Sequence, residues 1–219
     1  MMTDRRTADR RITPPHLARP PFAAPDRRQG PRRALDRLQT ELVQRLEIVA
    51  KGPSGVPRAV LFEQVLSHIG AYLARSFQVS DDEIGILLMK DQGRLLRFAY
   101  PPELYQGNLN FFPITMPSVA GRVVRAKNGV FHNDMATIPH LYIYERIRLA
   151  GRPIRPIQKI LAVPLLHADG HVVGVIEVSR KAMILREAGP DFTDLDLLKL
   201  TDFGRVLATH LIRFLPDDF

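Results

Sequence analysis

Hydrophobic positions recur along this chain with two different periods, and the changes of period divide it into helices and strands. Apolar residues three and four apart predict helices over residues 34–51, 58–77, 118–126 and 193–214, and a short one near 141–150. Runs rich in β-branched and aliphatic residues predict strands over 84–89, 95–100, 114–116, 130–132, 160–166 and 172–178. Because neighbouring strands are joined by tight turns, this order favours an α+β fold built on an antiparallel sheet.

The clearest pattern is a hairpin, ILAVPLLHADGHVVGVIEVSRK, over residues 160–181. Its Asp-Gly pair predicts a tight turn between two apolar strands. Alternation places Val173, Val175 and Glu177 on one face of the second strand. Both faces are largely apolar, which predicts a central strand that is covered on both sides. Gly174 indicates that another backbone or a packed group comes close at that position.

The segment before the first helix differs in composition from the rest of the chain. Residues 1–33 hold nine arginines, three aspartates and six prolines, so they carry +6 of the net charge of +8. Such a segment has too few large apolar residues to fold, and we predict a disordered tail. It is either a solvated arm or an electrostatic contact with nucleic acid, lipid head groups or an acidic partner.

The composition also limits the classes of function. The chain has no cysteine, which excludes disulfides, thiol catalysis and thiolate metal sites. Its N-terminus is charged where a signal peptide is apolar, and no apolar run is long enough to span a membrane, so we expect a cytoplasmic protein. No nucleophile–base pair, glycine-rich phosphate loop or metal-binding motif is present in the sequence, so we predict no enzymatic activity.

Three segments, in this order and spacing, resemble the GAF domain family. They are ITMPSVAGRVVRAKNGVFHND, KILAVPLLHADGHVVGVIEVSRK and FTDLDLLKLTDFGRVLATHL, and the resemblance covers about residues 58–214. It implies a central antiparallel sheet of about five to six strands, with helices from both chain ends on one face. Loops and short helices would cover a ligand pocket on the other face.

The resemblance also implies a regulatory, usually dimeric, sensory role. Members of the family bind cyclic nucleotides, bilins, haem, iron or other small molecules, and the cofactor of this chain stays unknown. The members that reduce free methionine sulfoxide and those that attach bilins depend on cysteines, which are absent here. The segment HNDMATIPHLYIYERIRLAGRPIRP does not match the signature of the cyclic-nucleotide-binding members.

Eight residues are candidates for ligand binding: Ser118, His132, Asp134, Tyr144, Arg148, Arg152, Arg155 and Glu177. Glu177 either accepts hydrogen bonds from a ligand or pairs with a loop arginine such as Arg155. Its alternative place is the rim of the sheet, solvated or salt-bridged, because unpaired carboxylates are costly to bury. The tyrosine and the arginines lie on a long connection over residues 133–158, and either clasp an anionic or aromatic ligand or belong to a solvated helix.

His132, Asp134 and His140 carry the imidazole and carboxylate groups that a non-haem metal prefers. Their spacing matches no recognised metal motif, and surface placement is the alternative interpretation. We therefore predict no metal site.

Together these patterns divide the chain into a disordered tail over residues 1–33, a helix and linker over 34–57, and a GAF-like domain over 58–219. They predict a non-enzymatic cytoplasmic sensory module that binds a small molecule or a signalling protein. The alternative function is that of a nucleic-acid-associated transcriptional regulator that uses the basic tail. We also predict a homodimer, because the apolar stripe of helix 34–51 needs a partner, although the chain's own sheet could cover it.

Overall fold

In a computed structural model, the described part of the chain forms five α-helices around a six-stranded sheet. The structure describes residues 29–51, 55–105, 110–140, 145, 153–217 and 219. Over these residues the helices are α1 (Gln29–Ala50), α2 (Arg58–Phe77), α3 (Pro102–Tyr105), α4 (Val119–Ala126) and α5 (Asp194–Phe214). The strands are β1 (Ile84–Lys90), β2 (Leu95–Tyr100), β3 (Phe111–Pro113), β4 (Val130–His132), β5 (Ile157–Leu166) and β6 (Val172–Lys181).

Most predicted elements are present with bounds within a few residues of those expected. The first helix begins at Gln29, which is earlier than the predicted residue 34. The third strand lies over Phe111–Pro113 and not over 114–116, because Met116 donates its backbone N–H to the Pro113 carbonyl and closes a turn there. The tail before Gln29 and most of the predicted helix near 141–150 lie outside the described residues.

The sheet has the strand order β3-β2-β1-β6-β5-β4, and every neighbouring pair is antiparallel. Strand β6 is therefore central, with β1 on one side and the hairpin partner β5 on the other. At its middle, Glu177 lies opposite Gly85 of β1 and Ala162 of β5. The predicted α+β class, with an antiparallel sheet of five to six strands, is confirmed.

Each face of the sheet has its own apolar core. One core joins the sheet to α1, α2 and α5, so helices from both ends of the chain cover one face, as predicted. The other core joins the opposite face to α4 and to residues that precede β5. Leu42 and Leu46 of α1 are buried in the first core, which means that part of the predicted stripe is covered within its own chain.

A β-bulge interrupts the alternation of side chains in β6. The strand has one extra residue, Val173, between the partners of Leu165 and Leu166 on β5. Val173 consequently packs against the core on the helix-covered face, whereas Val175 belongs to the opposite core. The expectation that Val173 shares a face with Val175 and Glu177 is therefore wrong, because a bulge shifts the alternation by one residue.

The predicted close approach at Gly174 is confirmed. A Cβ atom there would lie inside van der Waals contact with the Leu87 carbonyl oxygen of β1. The glycine thus lets the two strands pair directly beside the bulge.

Candidate functional site

Glu177 carries a buried carboxylate at the centre of the sheet. The residue is 6% exposed, and its side chain lies on the face that α4 covers. The interpretation that places Glu177 at the solvated rim of the sheet is wrong, because β6 is flanked by strands on both sides. A carboxylate in this position requires hydrogen bonds or an opposite charge to offset its desolvation.

The N-terminus of α4 supplies one of these partners. Ser118 is the N-cap residue, and its hydroxyl oxygen accepts a hydrogen bond from the backbone N–H of Gly121 at 2.9 Å. Gly121 leaves no room for a side chain, because a Cβ atom would lie 2.6 Å from the Ile114 carbonyl oxygen. The backbone N–H of Ala120 is left to donate to the Glu177 carboxylate. An anion in this place is also favoured by the helix dipole.

His140 supplies an opposite charge. Its Nδ1 lies 2.9 Å from the Ile138 carbonyl oxygen, and its Nε2 lies 2.9 Å from Oε1 of Glu145. Both contacts are to acceptors, so both ring nitrogens donate only when the imidazole is protonated. The hydrogen bond to Glu145 accordingly raises the pKa of His140 above its ordinary value of 6.5. The same Glu145 oxygen accepts the backbone N–H of Ile157 at 2.9 Å, which ties the connection to the start of β5.

These groups meet in a small cavity between the sheet and α4. Its described lining consists of Phe98, Phe112, Ser118, Val119, Ala120, His140, Ile157, Ile160 and Glu177. The cavity offers about 20 Å³ to the centre of a water molecule, which is room for one or two waters. Apolar walls around a few converging polar groups are the usual composition of a small-molecule site.

The cavity changes the acidity of Glu177. Burial raises the pKa of this carboxyl from 4.5 to about 7, against the opposing effects of the His140 charge and the Ala120 N–H. Near neutral pH, therefore, the protonated and ionised forms are both populated. The group can donate a hydrogen bond in one form and accept in the other.

Of the predicted ligand-binding residues, the structure brings Ser118 and Glu177 together at the cavity. His132 ends β4 opposite Ile160 and is partly buried, and burial together with the charge of Arg122 lowers its pKa. Asp134 is exposed, and its carboxylate accepts the backbone N–H of the residue two positions later. Neither residue is part of the described lining.

The predicted arginine and tyrosine cluster is described only at Arg155. This residue is half-buried and lies outside the described lining of the cavity. Burial lowers the pKa of Lys181 at the end of β6, and the charge of Arg155 lowers it further. Tyr144, Arg148 and Arg152 lie outside the described residues.

The sequence prediction missed the pairing of His140 with Glu145. It considered His140 only as a metal ligand, on the grounds of its neighbours in sequence. The available signal was a histidine and a glutamate five residues apart on a connection that precedes a central strand. No periodic pattern marks such a pair, because both side chains act through tertiary contacts.

No helix among the described residues is both long and apolar enough to cross a bilayer. No curated protein matches the sequence.

Several solved structures share the fold at low identity. The GAF domain of an Acinetobacter phosphoenolpyruvate-protein phosphotransferase is 15% identical with a TM-score of 0.57, covering 82% of this chain and 94% of that one.

Two further structures extend the comparison to other kinds of protein. Residues 122 to 287 of a methyl-accepting chemotaxis protein are 13% identical with a TM-score of 0.53, covering 81% of this chain and 96% of that one. A free methionine-R-sulfoxide reductase from Neisseria meningitidis, in complex with its substrate, is 18% identical with a TM-score of 0.52. The match covers 82% of this chain and 90% of that one. The family model of the GAF domain matches residues 60–209. The chain therefore belongs to the GAF domain family, a family of sensory and regulatory modules.

Proposed function

We propose that this protein is a non-enzymatic, cytoplasmic sensory module whose cavity beside Glu177 binds a small molecule and passes the signal to a protein partner. The observation that carries the proposal is the Glu177 carboxyl itself. It is buried in the middle of the sheet, which lowers the stability of the fold. An apolar residue would pack at this position without that cost, so the carboxyl indicates a function other than packing.

The lining limits the chemistry of the ligand. Phe98, Phe112 and Ile160 favour an apolar body, whereas Glu177 and Ser118 form a polar end. Because the Ala120 N–H already donates to Glu177, the free oxygen lone pairs of the carboxylate suit a ligand that brings its own donor. The described walls leave room for only one or two waters, so the group that reaches Glu177 is an amino, amide or hydroxyl group.

The contacts of His140 support a binding role over catalysis. Both of its ring nitrogens contact acceptors, the Ile138 carbonyl and the Glu145 carboxylate. A general base needs an unprotonated nitrogen directed at the group that it deprotonates. The absence of cysteine from the sequence also removes the thiol nucleophile.

A thermal-shift screen of small amines, amides, alcohols and nucleobases tests the proposal, together with native mass spectrometry for a molecule that co-purifies. We expect at least one compound to stabilise the wild type and to lose its effect in Glu177→Gln. Glu63→Gln, an exposed site on α2, is the matched control and keeps the effect. Compounds that stabilise all three proteins equally, or no bound molecule by either method, would contradict the proposal.

We also propose that the module acts as a homodimer. The buried part of the α1 stripe does not supply the interface, since Leu42 and Leu46 pack within the chain. Support comes from apolar side chains that the described fold leaves in solvent, namely Ile48 on α1 and Leu195 and Leu198 on α5. A second copy that covers these side chains would give the helical layer the partner that a sensory output requires.

A further inference from the structure

The tip of the β5–β6 hairpin brings together two imidazoles and a carboxylate. His167 and His171 flank the turn, and their rings stack with centroids 4.8 Å apart. Asp169 lies between them, with its Oδ1 in contact with Nδ1 of His171 and 3.2 Å from Nδ1 of His167. One potential ligand atom from each of the three residues lies within 4.8 Å of the other two.

One of these separations matches that between neighbouring ligands on one metal ion. Zinc–nitrogen and zinc–oxygen bonds are about 2.0–2.2 Å long, so two ligands of one ion lie roughly 3.0–3.5 Å apart in tetrahedral or octahedral geometry. The 3.2 Å between His167 and Asp169 falls in this range. The Nδ1 atom of His167 is also hidden from solvent without a hydrogen bond of good geometry among the described residues, so it has a lone pair or proton to exchange.

The backbone holds these side chains in place. The N–H of His167 donates to the His171 carbonyl at 2.9 Å, and the N–H of Gly170 donates to the His167 carbonyl at 2.9 Å. The Asp169 carboxylate also accepts the backbone N–H of His171 at 3.1 Å, which fixes its orientation. The hairpin therefore presents all three groups before any ion arrives, and little conformational entropy remains to be lost on binding.

We propose that His167, Asp169 and His171 form a site for a divalent transition-metal ion, with Zn²⁺ or Ni²⁺ as its preferred occupants and water completing the coordination. Imidazole with one carboxylate suits these ions, whereas Mg²⁺ and Ca²⁺ favour oxygen ligands alone. Lys127 donates its ammonium to the Gly170 carbonyl at 3.3 Å and is the adjacent positive charge that opposes the ion. The sequence analysis predicted no metal site, because the His-x-Asp-x-His spacing was not considered across the turn.

The test uses the full chain without a histidine tag, titrated with ZnCl₂ or NiCl₂ in an isothermal calorimeter. We expect one ion per chain, with the affinity at least tenfold weaker in His171→Ala and in Asp169→Asn. His68→Ala, an exposed histidine on α2, is the matched control and binds as the wild type does. All three changes lie at exposed positions, so we expect each variant to keep its fold. Thermal unfolding of each variant without metal checks this.

A spectroscopic readout locates the ion independently. Paramagnetic Co²⁺ should broaden the backbone amide resonances of residues 166–172 in a ¹⁵N correlation spectrum, and this local broadening should vanish in His171→Ala. Wild-type affinity in His171→Ala and Asp169→Asn would overturn the proposal, as would broadening centred on His132 or on residues outside the hairpin. The absence of any heat of binding at 100 μM protein would also overturn it.

Discussion

Replacement of Glu177 by glutamine should change how the stability of the protein depends on pH. Glutamine has nearly the same shape and keeps an oxygen that can accept the Ala120 N–H, but it removes the charge. In the wild type, burial raises the pKa of the Glu177 carboxyl to about 7 from its ordinary value of 4.5. The folded protein therefore holds this proton more tightly than the unfolded chain does.

The size of the effect follows from linkage between protonation and folding. One pKa unit corresponds to about 1.4 kcal/mol, so the difference between 4.5 and about 7 gives a penalty of about 3 kcal/mol. The penalty is absent below pH 4.5, grows as the pH rises to about 7, and is complete above it, because the folded state binds more protons throughout this window. Glu177→Gln should remove it, so the variant should be closest to the wild type at pH 5 and should exceed its stability by most of this penalty at pH 8.5.

Urea denaturation at half-unit steps from pH 5 to pH 8.5 measures this difference. The pKa of His140 is also raised, and this residue is present in both proteins. The difference between the two curves therefore reports Glu177 together with its attraction to His140. Glu63→Gln, at an exposed site, should give a curve parallel to the wild type. The reasoning would be refuted if Glu177→Gln also ran parallel to the wild type, or if it were the less stable protein at pH 8.5.

Further expectations concern the neighbours of the site and the surfaces of the fold. His140→Ala should lower the free energy of unfolding by about 1–3 kcal/mol, because Glu145 loses a buried partner. Urea titration should show a larger loss at pH 6 than at pH 8.5. A histidine with a raised pKa stabilises the fold below its unfolded pKa and loses this effect as the pH rises. An equal loss at both values would contradict the protonated His140. Gly174→Ala should cost about 2 kcal/mol through its clash with the Leu87 carbonyl, and a loss no larger than that of Gly204→Ala, whose Cβ would stay at least 3.3 Å from its neighbours, would contradict this. Analytical ultracentrifugation should give about twice the chain mass of 24.8 kDa, and Leu198→Lys should give a folded monomer; a monomeric wild type would refute the dimer. Deletion of residues 1–28 should leave ligand binding unchanged, whereas loss of a salt-dependent DNA affinity on this deletion would support the nucleic-acid hypothesis instead.

The sequence predicts most of the fold because its elements are specified locally. The Asp-Gly turn between two apolar runs defines the β5–β6 hairpin, and Thr193 with Asp196 forms the capping box that begins α5. Ser118 likewise caps α4, as its position before an apolar periodic segment indicates. Each of these signals needs only the residues within one turn of chain, and the structure keeps all of them.

The candidate site is less predictable, because its contacts join residues that are far apart in sequence. Glu177 meets Ala120 only after β6 pairs with its neighbours and α4 packs over them. Burial is also the costlier alternative for a lone carboxylate, and the helix N-terminus and His140 offset part of that cost. The bulge at Val173 was equally hidden, since an extra residue in one strand is defined by its partner and not by its own sequence.

The position of Glu177 explains how binding at the cavity would act on the rest of the molecule. Its neighbours Ile176 and Val178 point to the opposite face of β6 and pack in the core that α1, α2 and α5 share. A ligand that donates a hydrogen bond to the carboxylate favours the ionised form and lowers the penalty of about 3 kcal/mol that its ionisation carries. Binding would thus stabilise a strand, β6, whose side chains pack in both cores. A module that senses by this route needs no chemical step, only a strand whose stability depends on what occupies the cavity and a helical layer that responds to it.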